Sequence, residues 1–240
     1  MKINKFYRFP TEPSIVGFIF LAGILGIFTS GRPDPIGTII VLLINFHIIF
    51  TIDTIYHPEK LLSLPPIYAI VSNAAILFYL GLQEYDILYS IVPTGLLIVL
   101  TIVSRNLYGK TDMLTTSTGS LALTSLVLPS AAIAGNITVN TFNIWIIYSL
   151  YILTSVLYVE SKIERIDTWI PMALSYLLIP IFYLLNQYYI VLLADVLAKT
   201  TSHHIQKNYI ALKDITKLGV TETKRLFIFT IGALLITFLL

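Results

Sequence analysis

Apolar residues run through this chain in long blocks, and short polar clusters separate one block from the next. Blocks of about 20 apolar residues are typical of helices that cross a lipid bilayer. We therefore expect an all-α fold, a polytopic helical membrane bundle that forms a single transmembrane domain over residues 1–240. The pattern predicts about nine transmembrane helices, near 14–30, 36–56, 66–83, 86–104, 115–135, 142–159, 169–186, 187–199 and 224–240.

Composition excludes an ordinary soluble domain. The chain has 240 residues, of which 56% are hydrophobic and 12% charged, and its mean hydropathy is +0.84. Soluble domains carry about 25% charged residues. The chain has no cysteine, which excludes disulfides, thiolate metal sites and a cysteine nucleophile.

Lysine and arginine predict the orientation of the bundle. When the loops are assigned alternately to two sides, 14 of the 15 basic residues fall on one side and only Arg32 falls on the other. Basic residues are enriched in cytoplasmic loops. The sequence thus predicts a multi-pass protein of the cell membrane with a cytoplasmic N-terminus. Its expected partner is the lipid bilayer, and no binding of nucleic acid is expected.

Two acidic clusters lie on the predicted cytoplasmic side. The first follows the second helix and contains Asp53 and His57, which share a helix face at i, i+4, and then Glu59. It is interpreted either as the solvated end of a helix or as part of a functional cavity. The second cluster has a spacing of i, i+4, i+7, and its members are Glu160, Glu164 and Asp167.

Three further ionisable residues lie inside predicted helices. His47, near the middle of the second helix, is expected to bond a neighbouring helix, and the alternative is a haem ligand in a site shared with a partner. Asp195 and Lys199 are four residues apart, with the acid before the base, and are expected to neutralise each other; the alternative is a proton-relay role for Asp195.

Residues 202–223 form the longest cytoplasmic segment. Apolar residues recur there at helical spacing, and Gly219 is placed to end the helix. The expected structure is an interfacial amphipathic helix whose basic residues contact lipid head groups or another anion. Those basic residues are Lys207, Lys213 and Lys217.

The fifth helix is rich in small and hydroxylated residues, including Thr124 and Ser125. Small residues allow helix backbones to approach closely in lipid, so a central, closely packed helix is expected. A hydroxyl-lined path for a polar solute is the alternative.

Two family resemblances bear on function. Nine helices with acidic segments after helices two and six resemble UbiA-like prenyltransferases, in which aspartates hold Mg²⁺ against a lipid diphosphate. From about residue 114 to 240 the chain resembles the YwiC-like membrane protein family. That resemblance is carried by "SLALTSLVLPSAAIAGN", "YILTSVLYVESKIER" and "ITKLGVTETKRLFIFTIGALLITF".

The YwiC-like resemblance implies a connection with membrane respiratory systems. The leading hypothesis is a non-catalytic subunit or accessory protein of a respiratory, electron-transport assembly, beside a cytochrome b or similar partner. The alternatives are a divergent UbiA-like transferase that acts on a lipid diphosphate, and a small-solute transporter. No complete metal site, nucleophile or phosphate-binding motif is present in the sequence.

Overall fold

A computed structural model of the chain describes residues 13–56, 64–83, 85–109, 112–211 and 214–239. These residues are helical almost throughout and include no β-strand. A 3-10 segment covers Gln187–Leu193. The helices are α1 (Pro13–Thr29), α2 (Pro35–Tyr56), α3 (Leu64–Gln83), α4 (Tyr85–Tyr108), α5 (Met113–Thr124), α6 (Val127–Ala134), α7 (Val139–Lys162), α8 (Trp169–Leu185), α9 (Ala194–Gln206) and α10 (Ile215–Leu239).

Five helical segments of the described chain are long and apolar enough to cross a membrane. Two shorter apolar helices, Ile15–Thr29 and Trp169–Leu185, accompany them. The described residues therefore confirm the prediction of an all-α fold that contains helices long and apolar enough to span a membrane. The five segments are Pro35–Ile52, Leu64–Leu82, Asp86–Tyr108, Met113–Ala134 and Val139–Lys162.

The predicted fifth helix consists of α5 and α6, which meet at a break beside Ser125 and Leu126. Pro129 has no backbone N–H, so the carbonyl of Ser125 loses the partner that a continuous helix would supply. The N–H of Leu128 bonds that carbonyl instead, at 3.1 Å. The proline thus causes the break without ending the span.

This broken helix lies at the centre of the bundle, as its small residues predict. In an apolar 18-residue stretch within Met113–Ala134, 83% of the residues are buried. A Cβ atom added at Gly26 of α1 would lie 2.6 Å from the carbonyl oxygen of Val127, and one at Gly37 of α2 would lie 2.2 Å from that of Ile133. Both glycines are therefore required for the close approach of α1 and α2 to α6.

A second part of the core is formed where α1, α7, α8, α9 and α10 meet. Its largest fully buried side chains are aromatic. The hydroxyl of Tyr148 on α7 donates to the carbonyl of Phe18 on α1 at 3.2 Å, and the ring of Tyr151 stacks on Phe229 of α10 at 3.9 Å between centroids. These contacts fix α7 between α1 and α10.

The expected helix between Ser202 and Gly219 is wrong in its boundaries. α9 continues from the predicted eighth span to Gln206, and Lys207 then ends it in a left-handed conformation with φ 48°. Residues 207–211 are not helical. α10 begins at Ile215 and passes through Gly219. The residues after this glycine belong to the last apolar helix, and that helix continues back through the glycine to Ile215.

Candidate functional site

A cluster of buried charges lies where α7, α9 and α10 meet. The ammonium group of Lys199 on α9 donates to the carboxylate of Glu222 on α10 and, at 3.0 Å, to the hydroxyl of Ser155 on α7. Only 6% of Lys199 and 9% of Glu222 is exposed. Three helices thus contribute one polar group each to a site closed to solvent.

Aromatic rings surround the ammonium group of Lys199. Its Nζ lies 5.4 Å from the ring centroid of Tyr151 and 5.1 Å from that of Tyr158, both on α7. Ring faces attract cations at these distances. The rings therefore replace part of the hydration that Lys199 loses on burial.

Two more charges connect this pair to the surface of the bundle. Arg225 donates from Nη1 to Oε1 of Glu222 at 2.7 Å, and its Nε lies 3.5 Å from Oδ1 of Asp195. Side-chain exposure falls along this chain of charges, from 49% for Asp195 and 32% for Arg225 to 9% for Glu222 and 3% for Lys199. The cluster is therefore open at one end and closed at the other.

Lys162, the last residue of α7, adds an unbalanced charge beside the cluster. It is 9% exposed, and its Nζ donates to the backbone carbonyl of Asn208 at 2.6 Å and lies 5.6 Å from the ring centroid of Tyr158. No carboxylate of the described residues forms an ion pair with it. Together with Lys199, Arg225, Glu222 and Asp195, it gives three positive and two negative charges.

The expected pairing of Asp195 with Lys199 is wrong. Each residue pairs across the helix interface instead, Asp195 with Arg225 and Lys199 with Glu222. The i, i+4 spacing permits a contact within α9, but α10 carries an oppositely charged side chain within reach of each residue.

Glu222 was not recognised from the sequence, although α10 carries a signal for it. The buried residues of α10 are Glu222, Leu226, Phe229, Thr230 and Ala233. Their spacing of i, i+4, i+7, i+8 and i+11 marks a single helix face. A glutamate on the same stripe as the core residues of its helix is buried when that stripe is buried.

The acidic cluster after the sixth predicted helix does not form one stripe. Glu160 is buried and pairs with Arg165 at 3.2 Å. Because α7 ends at Lys162 and Glu164 adopts a left-handed conformation with φ 62°, Glu164 and Asp167 leave the helix direction. Asp167 accepts from Nε1 of Trp169 at 3.3 Å.

The other cluster can be located only in part. Asp53 belongs to α2, but its side chain lies outside the part of the chain that the structure describes. His57 and Glu59 lie outside that part entirely. No group of three or more His, Asp or Glu side chains that could hold a metal ion occurs among the residues described.

His47 is partly exposed and bonds a neighbouring helix, as expected. Its Nε2 lies 3.2 Å from the hydroxyl of Ser72 on α3. One turn further along α2, Thr51 accepts from the amide of Asn73 on α3 at 2.9 Å. These polar contacts tie α2 to α3.

The hydroxyl groups of the central helix bond neighbouring helices. Thr124 lies 2.8 Å from the hydroxyl of Ser149 on α7, and Ser125 donates to Thr94 on α4 at 2.8 Å.

Of the basic residues expected to contact lipid, Lys207 is exposed, Lys217 is exposed and 3.2 Å from Asp214, and Lys213 lies outside the described residues.

No protein-family model, curated protein or solved structure matches this chain. The YwiC-like and UbiA-like resemblances stay predictions.

Proposed function

We propose that this chain is a nine-span protein of the cell membrane, with a cytoplasmic N-terminus, that binds the anionic head group of an amphiphile between α7, α9 and α10. The spans are α1, α2, α3, α4, α5 with α6, α7, α8, the 3-10 segment with α9, and α10. The distribution of basic residues supports this orientation. In the proposed orientation, Lys199, Arg225 and Lys162 lie near the cytoplasmic ends of three spans, at the depth of lipid head groups.

The observation that carries the proposal is the unbalanced ammonium group of Lys162 beside a charge cluster that is open on one side. A buried charge is costly unless it is paired. Within the described residues the three cations face two carboxylates, so a ligand with a single negative charge would neutralise the site. A phosphodiester or carboxylate head group has that charge.

The shape of the cluster favours an amphiphile over a free ion. Asp195 is exposed and Arg225 is partly exposed, while Glu222 and Lys199 are buried between the helices. A head group that enters beside Arg225 would keep its acyl or prenyl tail in the membrane. Arginine forms two parallel hydrogen bonds with phosphate and carboxylate groups, and Arg225 would release Asp195 in doing so.

Stability alone does not explain these charges. A buried ion pair is generally no more stabilising than apolar side chains of similar volume, because desolvation opposes the attraction of the two charges. Ionisable groups in membrane-embedded helices are rare and mark functional sites.

The test measures the thermal unfolding of the purified chain with added lipids. Phosphatidylglycerol, which is singly charged, is expected to raise the unfolding temperature more than phosphatidylcholine, which has the same phosphodiester but no net charge. Arg225→Gln and Lys162→Met should remove the difference. Lys224→Gln, at an exposed cation next to Arg225 on α10, is the matched control and should retain it. Equal responses to both lipids, or loss in the control as well, would contradict the proposal.

The same assay separates a transferase from a lipid-binding protein. A prenyl diphosphate that stabilises the chain only with Mg²⁺ would support the UbiA-like alternative. Inorganic phosphate acting as strongly as the lipids would show that the tail contributes nothing.

A second proposal, an accessory subunit of a respiratory assembly, is favoured by the apolar face of α3 and α4. In the apolar 18-residue stretches within Leu64–Leu82 and Asp86–Tyr108, only 22% and 17% of the residues are buried, so a partner subunit such as a cytochrome b has room to pack there. Purification in mild detergent, followed by visible absorption and mass spectrometry, tests it. A colourless chain without partners would exclude this assembly.

A further inference from the structure

His203 is buried near the end of α9 without the hydrogen bonds that an imidazole normally makes. Only 2% of it is exposed, and neither ring nitrogen has a hydrogen-bond partner among the described residues. The backbone of Ser161 faces the ring without ordinary hydrogen-bond geometry. The ring is held between Tyr158 of α7 and Tyr209, at 5.7 Å between centroids on each side and with nearly perpendicular planes. A buried polar group without partners requires an explanation.

Tyr209 belongs to a short non-helical segment, residues 207–211, which we name the strap. The strap is attached to the end of α7 through a single residue, Lys162. The N–H of Ile210 donates to the carbonyl of Lys162 at 3.0 Å, and Nζ of Lys162 donates to the carbonyl of Asn208 at 2.6 Å. Two hydrogen bonds and one ring contact therefore close the strap over His203.

The charged and titratable groups around His203 are basic or neutral. Lys162 and Tyr158 face it from α7, Lys199 and His204 belong to its own helix, and Tyr209 faces it from the strap. No carboxylate of the described chain forms an ion pair with it. Burial and the neighbouring ammonium group of Lys162 therefore disfavour a charged ring, and the backbone of Ser161 opposes them only in part.

We propose that the strap is a pH-sensitive closure that His203 operates. Protonation gives the ring a positive charge and two N–H donors, in a closed site beside the ammonium group of Lys162. Such a charge requires water or an anion, and the closed strap supplies neither. Among the contacts of the described residues, opening the strap breaks the two hydrogen bonds to Lys162 and the contact of Tyr209 with His203, so it is the least costly way to hydrate the ring.

Opening has a consequence for the charge cluster. Lys162 loses the carbonyl of Asn208 as its acceptor, and the ring of Tyr158, which faces both His203 and Lys199, loses its cover. Acidification therefore exposes the cytoplasmic end of the cluster. This inference rests on the contacts of the strap alone and stands whether or not the cluster binds an amphiphile.

Amide hydrogen exchange of the full chain in detergent tests the strap directly. The measured quantity is the protection of the Ile210 amide, expressed as the intrinsic exchange rate at the same pH divided by the observed rate. Histidine titrates between about pH 5 and 8. Protection should fall at least about fivefold between pH 7.5 and pH 5.5. One proton can change the opening equilibrium by at most about tenfold per pH unit, so the expected fall lies within that limit. Amides in the middle of α7 should stay protected, because the opening is local.

Variants identify the responsible group. His203→Phe retains a ring between the two tyrosines and cannot be protonated, so protection should become independent of pH. His203→Gln serves the same purpose if the phenylalanine variant fails to fold. His204→Gln is the matched control at the next residue, whose side chain lies 3.0 Å from Thr168, and it should retain the pH response. A strap that stays protected in the wild type at both pH values, or that responds equally in the His203 variants, overturns the proposal.

Discussion

Lys199 on α9 and Glu222 on α10 form an ion pair that is closed to solvent, and each of the two residues also bonds a third residue. Lys199 reaches Ser155 on α7, and Glu222 accepts from Arg225. The pair thus links three helices through charges rather than apolar contacts. Replacing one residue of the pair, and then both residues, separates the contribution of the pair to stability from its role in function.

Removal of one partner should destabilise the protein strongly. Glu222→Gln leaves Lys199 buried without a carboxylate, and the expected loss is about 3–5 kcal/mol, the range measured for broken buried pairs. The combination Lys199→Met with Glu222→Gln removes both charges and should recover most of that loss. Thermal unfolding in detergent measures both variants. A double variant as unstable as the single one would show that the pair stabilises the fold.

The close approach of α2 to α6 predicts a second stability effect. Gly37→Ala would place a Cβ atom 2.2 Å from the carbonyl oxygen of Ile133, so α2 must move away from α6. Overpacking of this kind costs about 1–3 kcal/mol. Gly95 is the control, because a Cβ atom there meets nothing within 4 Å and alanine favours helix. Destabilisation by Gly95→Ala equal to that by Gly37→Ala would contradict the argument from close approach.

The sequence predicts most helices of this fold, because long apolar blocks bounded by prolines and polar clusters are local signals. The predicted boundaries agree closely with the observed ones from α1 to α8. Local signals fail where tertiary contacts decide. Gly219 is a plausible helix end by itself, yet the preceding turn of α10 continues through it.

The charge cluster shows the same limit. Asp195 and Lys199 satisfy a rule about neighbours on one helix, whereas their actual partners come from α10, more than 20 positions along the chain. Nothing in the spacing of α9 specifies which face of α10 it meets. The buried stripe that includes Glu222 was readable from the sequence, but its partner was not.

Hydroxyl pairs of the central helix should contribute modestly to stability. Thr124 and Ser149 join α5 to α7, and interhelical hydrogen bonds of this kind contribute about 0.6 kcal/mol and at most about 1.7. A double-mutant cycle with Thr124→Ala and Ser149→Ala should give a coupling energy in that range. Thr101→Ala is the control, since its hydroxyl bonds only Leu97 of its own helix. A coupling energy near zero would mean that the two hydroxyls find other partners.

The orientation of the bundle can be tested with two cysteines at opposite ends of α8. The chain has no cysteine of its own, so single replacements are the only thiols. Asp167 and Gln187 are both exposed and lie just before and just after α8. A membrane-impermeant maleimide added to intact cells should label Gln187→Cys and leave Asp167→Cys unlabelled, because Asp167 lies in the cytoplasm in the proposed orientation. Permeabilised cells should show labelling of both. Labelling of Asp167→Cys alone in intact cells would invert the bundle, and the charge cluster of α7, α9 and α10 would then face the outer leaflet.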